Sequence, residues 1–200
     1  MGKKNLNYFS ESESNSMYKF QEIRNKIFLP ISKLLMKLGF TANIISYIGL
    51  FVLIGFILNI SSNPVSAIVF LALHVFIDAF DGPLARLMNQ EGDSGAFTDM
   101  ICDHTGMAVV VVTLIWANLV NPIFASIYLY VYTMLIIFVI VRNQMKVPIK
   151  FVIRTKYYLY ALFAVFAIWN LNFLDQGLLL FTVLMLPSLF SSYFVIKKSL

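Results

Sequence analysis

The sequence predicts an all-α integral membrane protein, in which six transmembrane helices follow an amphipathic helix at the membrane interface. Two observations predict this class. Of the 200 residues, 60% are hydrophobic and only 12% are charged, whereas soluble domains are about 45–50% apolar and about 25% charged. Apolar stretches such as 44–60 and 108–120 also contain no Lys, Arg, Asp or Glu, and about 20 mostly apolar residues are enough to cross the hydrocarbon core.

The N-terminal part divides into a tail and a helix. Residues 1–16 are polar and rich in serine, which is typical of a mobile tail. Within residues 17–40, apolar side chains recur at helical spacing from Phe20 to Leu38, with Lys and Arg between them. This pattern predicts a basic amphipathic helix on an anionic leaflet, with a soluble docking helix as the alternative. Gly39 is placed to end it.

The remaining residues, 41–200, are predicted to form one six-helix domain. The predicted spans are 41–60, 64–88, 95–118, 122–142, 156–171 and 177–196. Connectors 61–63, 119–121 and 172–176 contain no Lys or Arg, whereas the opposite connectors and the N-terminal helix are basic. This bias places both termini in the cytoplasm. Because it also accounts for the net charge of +5, we expect no nucleic-acid partner.

Four aspartates mark the cytoplasmic ends of the second and third predicted spans. Asp78 and Asp81 are three residues apart, and Asp99 and Asp103 are four apart, so each pair is expected on one face of one helix. A short connector makes the two spans antiparallel neighbours. The two pairs can therefore face each other.

Such a cluster requires a cation. An aspartate well inside a span costs about 2.5–3.5 kcal/mol on insertion scales, and four like charges repel one another as well. One arginine, Arg86, cannot neutralise four acids. Oxygen-only ligands suit Mg²⁺, Mn²⁺ or Ca²⁺, and two ions about 3.5–4 Å apart form a site suited to phosphoryl transfer.

The segment around these acids resembles the motif of the CDP-alcohol phosphatidyltransferases. That motif is Asp, two residues, Asp-Gly, two residues, Ala-Arg, eight residues, Gly, three residues, Asp, three residues, Asp. It is filled without a gap or substitution by Asp78, Asp81, Gly82, Ala85, Arg86, Gly95, Asp99 and Asp103. The run TANIIS at 41–46 is similar to the family's Thr-Pro-Asn opening of the first span, with Ala42 in place of proline.

The resemblance implies roles for these residues. Asp78, Asp81 and Asp99 would be metal ligands, and Asp103 would be both a ligand and the general base. Two Mg²⁺ or Mn²⁺ ions are implied, with Ca²⁺ also able to bind. The implied nucleotide-binding residues are Asn43, Gly82, Ala85, Arg86 and Gly95. Members of the family are usually homodimers, and a chain of this kind is expected in a prokaryotic cell membrane.

The small residues of the motif also have a physical interpretation of their own. Gly82 and Ala85 leave little side chain beside the first acidic pair, so that a nucleotide diphosphate can approach the backbone closely. Gly95 clears the same face of the third span one turn before Asp99. The alternative is that these residues only allow close packing of membrane helices.

The expected reaction moves a phosphatidyl group from CDP-diacylglycerol to a small polar alcohol, free or phosphorylated, and releases CMP. Members of the family also catalyse a second type of reaction, in which the donor is a CDP-linked headgroup and the acceptor is diacylglycerol. A divalent-cation or proton transporter would also explain intramembrane acids, but it would not explain small residues and an arginine at fixed offsets. A lipid-binding scaffold would leave the costly acids without a purpose.

The basic run between the fourth and fifth predicted spans is a candidate acceptor site. Arg142, Lys146 and Arg154 are expected at the level of the aspartates. Arg142 resembles an arginine that family members with phosphorylated acceptors carry at the end of the fourth span. On this interpretation the acceptor is an anionic alcohol such as glycerol 3-phosphate or an inositol phosphate, because guanidinium groups bind phosphate bidentately. Positive-inside bias alone is the alternative.

Overall fold

The computed structural model describes residues 27–89, 92–149 and 152–199, apart from the side chain of Asp93, and all regular secondary structure within them is α-helical. Residues 1–26, which include the predicted tail and the start of the predicted interfacial helix, lie outside this range. The helices are α1 (27–37), α2 (Ala42–Asn59), α3 (Pro64–Asp78), α4 (Asp81–Leu87), α5 (Asp93–Trp116), α6 (Pro122–Gln144), α7 (Lys156–Trp169) and α8 (Leu174–Ser199).

Helix α1 ends at a glycine in the left-handed conformation. Gly39 has φ +82°, a value that only glycine adopts without steric cost. Its N–H donates to the carbonyl of Met36 at 3.1 Å, and the N–H of Phe40 donates to that of Leu35 at 3.0 Å. These two bonds form a Schellman motif. The prediction that Gly39 ends the first helix is therefore confirmed.

Two faces of α1 carry apolar side chains. Phe28 and Leu35 pack on Phe80 and Leu84, and the rings of Phe28 and Phe80 meet edge to face at 4.7 Å. A second stripe, at a spacing of three or four residues, is exposed; it consists of Ile27, Ile31, Leu34 and Leu38. The protein covers one apolar face of α1 and leaves the other open.

Within the described part of the chain, five helical segments are long and apolar enough to cross a membrane, and the second of them comprises α3 and α4. They cover Ala42–Asn59, Pro64–Leu87, Ser94–Trp116, Pro122–Gln144 and Leu174–Ser199. Large apolar side chains such as Phe51 and Leu58 are about 70% exposed on them, as expected for surfaces that face lipid. Multi-pass membrane insertion follows. The sixth predicted span, 156–171, corresponds to α7, which is apolar but has only 14 residues.

The third span lies at the centre of the bundle. Of the 18 most apolar consecutive residues in α5, 44% are buried, whereas the corresponding fraction is 22–28% in the other four spans. Helix α2 packs on α3, α4 and α5, α3 packs on α7, and α6 packs on α8. Among the fully buried side chains are Phe56, Leu114, Tyr128 and Phe163. The helix that carries Asp99 and Asp103 is thus enclosed by its neighbours.

The second predicted span is broken where its acids lie. Helix α3 ends at Asp78 and α4 begins at Asp81, so the two acids belong to two helices and not, as their spacing predicts, to one helix face. Pro83 explains the break, because a proline has no N–H and its ring clashes with the carbonyl four residues earlier. That carbonyl belongs to Ala79. Pro83 itself is tolerated in the first turn of α4, where an N–H has no partner within the helix.

Candidate metal centre

Three of the four predicted acids form a cluster. One carboxylate oxygen each from Asp78, Asp99 and Asp103 lies within 4.8 Å of the other two. Asp78 comes from the last turn of α3, and the other two come from successive turns of α5. The prediction that the second and third spans bring their acids together is confirmed for these three residues.

The spacing of these oxygens fits a hard divalent ion. Oxygen ligands lie about 2.1 Å from Mg²⁺ and about 2.3–2.6 Å from Ca²⁺, so that opposite ligands are separated by roughly 4–5 Å. The three oxygens fall within that limit, and the donor set consists only of carboxylates. The residues present therefore match the ion class that the sequence predicts.

The fourth acid is held beside this cluster rather than in it. Asp81 is 8% exposed, and its Oδ2 accepts a hydrogen bond of 3.3 Å from the hydroxyl of Ser46 on α2. Its backbone position follows from the break before α4. Ser46, which the sequence did not single out, thus orients one carboxylate of the motif.

The last lysine of the basic run between the fourth and fifth predicted spans, for which an acceptor site and topology were the two interpretations, lies within the acidic cluster. Lys156 is the first residue of α7, and its side chain is 4% exposed. Its Nζ lies 2.5 Å from Oδ1 of Asp103 and 3.9 Å from Oδ2 of Asp78. The segment before it is anchored, because the buried Thr155 shares a hydrogen bond of 2.7 Å with the hydroxyl of Tyr128 on α6.

A histidine joins three helices one turn below the acids. His74 is 2% exposed, and its Nδ1–H donates to the carbonyl of Gly49 on α2 at 2.9 Å. Its Nε2 faces Gly106 on α5, where an added Cβ would lie only 3.0 Å away. Asp78 follows His74 by four residues, and Gly106 follows Asp103 by three. The contact therefore sets the distance between the helices that carry these acids.

The structure places the other predicted motif residues around the same end of the bundle. Gly82, Ala85 and Arg86 belong to α4, beside Asp81. Gly95 lies in the first turn of α5, and Asn43 lies in the first turn of α2. All five are half-buried. Their predicted contacts with a nucleotide stay predictions.

The three candidate acceptor residues differ in their surroundings. The guanidinium of Arg142 donates to the carbonyls of Val147 at 2.8 Å and Pro148 at 3.2 Å, so it holds the connector that follows α6. Lys146 is exposed, with φ +59°, in the turn that ends α6. Arg154 is half-buried, and it lines the same recess as Asp103.

Two depressions meet the acidic cluster from different sides. The first is a recess between α5, α6 and the connector before α7, lined by Met100, Asp103, Tyr132, Leu135, Ile136, Val139, Val152, Ile153 and Arg154. The second is an apolar groove between α3 and α7, lined by Ile68, Leu71, Ala72, Val75, Phe76, Ala79, Tyr157, Tyr160 and Ala164. Asp103 opens into the recess, and the groove ends at Ala79, next to Asp78.

The chain is similar to proteins of known function and of known structure. A relative from Candida albicans, a CDP-diacylglycerol–inositol 3-phosphatidyltransferase, is 32% identical over an alignment of 102 positions, which covers 46% of this chain and 44% of that relative. Two crystal structures of phosphatidylinositol phosphate synthase from Mycobacterium tuberculosis share the fold. The one with manganese and citrate has a TM-score of 0.68 at 17% identity and covers 84% of this chain and 88% of that one. The one with CDP-DAG bound has a TM-score of 0.62 at 18% identity, with coverages of 84% and 92%.

The family itself follows from a match along most of the sequence. The profile of the CDP-alcohol phosphatidyltransferases matches residues 40–192, which include all four aspartates, the break before α4 and Lys156. The resemblance that the motif indicated is thereby confirmed, and the chain belongs to the CDP-alcohol phosphatidyltransferase family.

Proposed function

We propose that this protein transfers the phosphatidyl group of CDP-diacylglycerol to a hydroxyl of an inositol-type alcohol and releases CMP. The observation that carries the proposal is the convergence of Asp78, Asp99 and Asp103 to within 4.8 Å, in a chain of this family. The acceptor oxygen forms a bond to the phosphorus that bears the diacylglycerol. The bond from that phosphorus to the oxygen of CMP breaks, and the hydroxyl proton passes to Asp103.

The acids divide the work in this scheme. Asp78, Asp99 and Asp103 would hold Mg²⁺ or Mn²⁺, with two ions in the full site, and Asp81 would contribute from its position beside Ser46. Such ions would supply positive charge to offset the negative charge of the diphosphate. Asp103 has the second role of base, because it lines the recess through which a polar acceptor can approach. Gly82, Ala85, Arg86, Gly95 and Asn43 surround the nucleotide.

The groove between α3 and α7 supports a lipid-linked donor. Its lining is apolar apart from the hydroxyls of Tyr157 and Tyr160, and it runs along α3 towards Asp78. A diacylglycerol chain placed there keeps its hydrocarbon within the apolar core of the bilayer while its phosphate reaches the acids. Because lipid tails are as apolar as the groove wall, the chain can exchange between the groove and the bilayer at little cost.

The recess on the other side supports a polar acceptor. Six of its nine lining residues are apolar, and the other three, Asp103, Arg154 and the hydroxyl-bearing Tyr132, can hydrogen-bond hydroxyl groups at its polar side. Because Arg142 donates to two carbonyls of its own connector, the arrangement favours a free polyol over its phosphate. The relative from Candida albicans is named for inositol, and that name supports the same choice.

Release of CMP by the purified protein tests this function. With CDP-diacylglycerol and Mn²⁺ or Mg²⁺, we expect fast release with inositol, slower release with inositol phosphate or glycerol 3-phosphate, and little with serine or no acceptor. Preference for inositol phosphate would support the hypothesis of an anionic acceptor, bound by Arg142, Lys146 and Arg154. Release of CMP only from a CDP-linked headgroup with diacylglycerol would establish the second type of reaction, in which the headgroup is transferred to diacylglycerol. Uptake of divalent cations into vesicles without CMP release would indicate a transporter.

The membrane orientation is part of the same proposal. Lys156, Lys197 and Lys198 lie at the acidic end, and the described connectors at the other end carry no Lys or Arg, so the site faces the cytoplasm. The exposed stripe of α1 lies in the interface. Helix α7 is about 21 Å long and is the sixth span of this proposal, because a short span is accommodated by local thinning of the bilayer. A homodimer in a prokaryotic cell membrane accords with the family.

Labelling of single cysteines checks the orientation. In a Cys102→Ser background, a cysteine at Gln144 should react with an impermeant reagent only from the cytoplasmic side, and one at Asn172 only from the outer side. Both positions are exposed. The opposite pattern would put the acids out of reach of a cytosolic nucleotide and would contradict the proposal.

A further inference from the structure

The acidic cluster has an electrostatic problem that the fold must solve whether or not an ion is bound. Three carboxylates lie within 4.8 Å of one another, and Asp78 and Asp103 are only 15% and 18% exposed. At such distances and with partial burial, like charges repel by several times the thermal energy. Some cation has to accompany them when the protein folds.

Lys156 lies where such a cation is needed, although two local factors oppose its position. Its side chain is 4% exposed, and burying an ammonium group is costly unless it is paired. It is also the first residue of α7, and the positive N-terminal end of a helix disfavours a cation. The carboxylates of Asp103 and Asp78, at 2.5 Å and 3.9 Å, compensate for both.

We propose that Lys156 is a built-in counter-ion, which shields the acidic cluster until a divalent ion displaces its ammonium group. The inference deepens the proposed function, since it rests on binding of a divalent ion by the same acids. Lys156 Nζ contacts Asp103 and Asp78, and these are two of the three residues that would ligate the ion. Both cations therefore compete for the same oxygens.

The chemistry of lysine suits this exchange. An ammonium group is compact, and its four-carbon stem can swing while the backbone stays in place. The backbone at this point is anchored by the bond between Thr155 and Tyr128 at 2.7 Å. An arginine would instead grip a carboxylate with two parallel N–H groups and would give it up less readily.

The competing account makes Lys156 a permanent part of the site, which holds the carboxylates in place for the ion. The two accounts predict opposite effects on metal affinity. If the ammonium competes, its removal tightens binding. If it organises the ligands, its removal weakens binding.

Binding of Mn²⁺ to the purified protein, without nucleotide or acceptor, decides between them. The free ion is measured by its electron paramagnetic resonance signal for the wild type, Lys156→Gln and Lys156→Arg. We expect Lys156→Gln to bind Mn²⁺ about tenfold more tightly than the wild type, and Lys156→Arg to bind it no more tightly. Lys198→Gln, which removes an exposed lysine from the last turn of α8, should leave the affinity unchanged.

Thermal unfolding with and without Mn²⁺ provides a second readout. Without the ion, Lys156→Gln should unfold several degrees below the wild type, and Mn²⁺ should raise its Tm by more than it raises that of the wild type. Equal or weaker binding of Mn²⁺ by Lys156→Gln would overturn the counter-ion role while leaving the metal-dependent transfer intact. Failure of the wild type and every variant to bind Mn²⁺ would overturn both. If Lys156→Gln does not fold, tighter binding by Lys156→Arg than by the wild type is the contradicting result.

Discussion

The two ends of the helix bundle use polar residues in opposite ways. At the end that carries Asp103, charged side chains are buried, a helix is broken between two acids, and Lys156 is drawn into the cluster. At the other end, neutral amides complete the backbone: the side chain of Asn63 accepts from the N–H of Ser66 at 3.1 Å, and that of Asn172 donates to the carbonyl of Leu119 at 2.9 Å.

This difference separates what the fold needs from what the chemistry needs. Amide caps satisfy backbone groups that helix ends leave without partners, and they introduce no net charge into a bilayer. Four clustered acids contribute nothing of that kind and repel one another. A membrane protein retains such a cluster for function, so substitutions at the two ends should affect turnover and stability separately.

The largest effect is expected for Asp103→Asn. The amide oxygen can still ligate an ion, but it cannot accept the acceptor's proton, so CMP release should fall by about 10²–10⁴-fold while CDP-diacylglycerol still binds. The matched control is Asp175→Asn, the same change at the other end, which should keep its turnover. Substantial turnover by Asp103→Asn would show that Asp103 is not the general base.

At the acidic end, the sequence predicts those features that depend only on residues close together along the chain. The spacing of Asp99 and Asp103 within one helix, and the apolar runs of the spans, depend on neighbours along the chain. Pro83 inside the motif predicts a kink in the second span, and the break between Asp78 and Asp81 agrees with that prediction. A proline acts on the carbonyl four residues before it, and that places the break at Ala79.

The contacts that complete the site connect distant segments, and the sequence pattern carried no signal for them. Lys156 and Asp103 are 53 residues apart, and a lysine at the end of a predicted span is what positive-inside bias already explains. His74 and Gly49 are 25 residues apart. A glycine pair facing a buried histidine becomes recognisable only once the helices are packed.

A smaller effect at the acidic end is expected from the contact below it. In Gly106→Ala the new methyl group would lie 3.0 Å from Nε2 of His74, a contact that requires a shift of a few tenths of an ångström. We expect α5 to shift, because the bond to Gly49 holds the ring in place. Asp103 then shifts relative to Asp78, and turnover should fall by roughly tenfold to a hundredfold, with weaker binding of Mn²⁺.

His74→Asn in the Gly106→Ala background should restore part of that loss. The shorter amide can still donate to the carbonyl of Gly49, but it has no ring atoms opposite residue 106. Gly49→Ala is the matched control, because its Cβ would meet His74 at 3.5 Å, an ordinary contact. If Gly106→Ala retained full turnover and metal affinity, this contact would have no part in positioning the acids.

The smallest effect, on stability alone, is expected at the end of the bundle opposite the acidic cluster. Oδ1 of Asp175 accepts from the backbone N–H of Asn121 at 2.7 Å, and Asp175 lies in the first turn of α8, where a negative charge is favourable. Asp175→Ala removes both contributions, which together amount to about 1–2 kcal/mol. For a chain of this size the Tm should fall by about 2–6 °C, and Asp175→Asn, which keeps an acceptor oxygen, should show a smaller decrease. Turnover below the melting range should match the wild type in both variants, because the link between Asn121 and α8 lies at the end of the bundle opposite the acids. A loss of CMP release without a loss of stability would mean that the two ends are coupled and would contradict their separation.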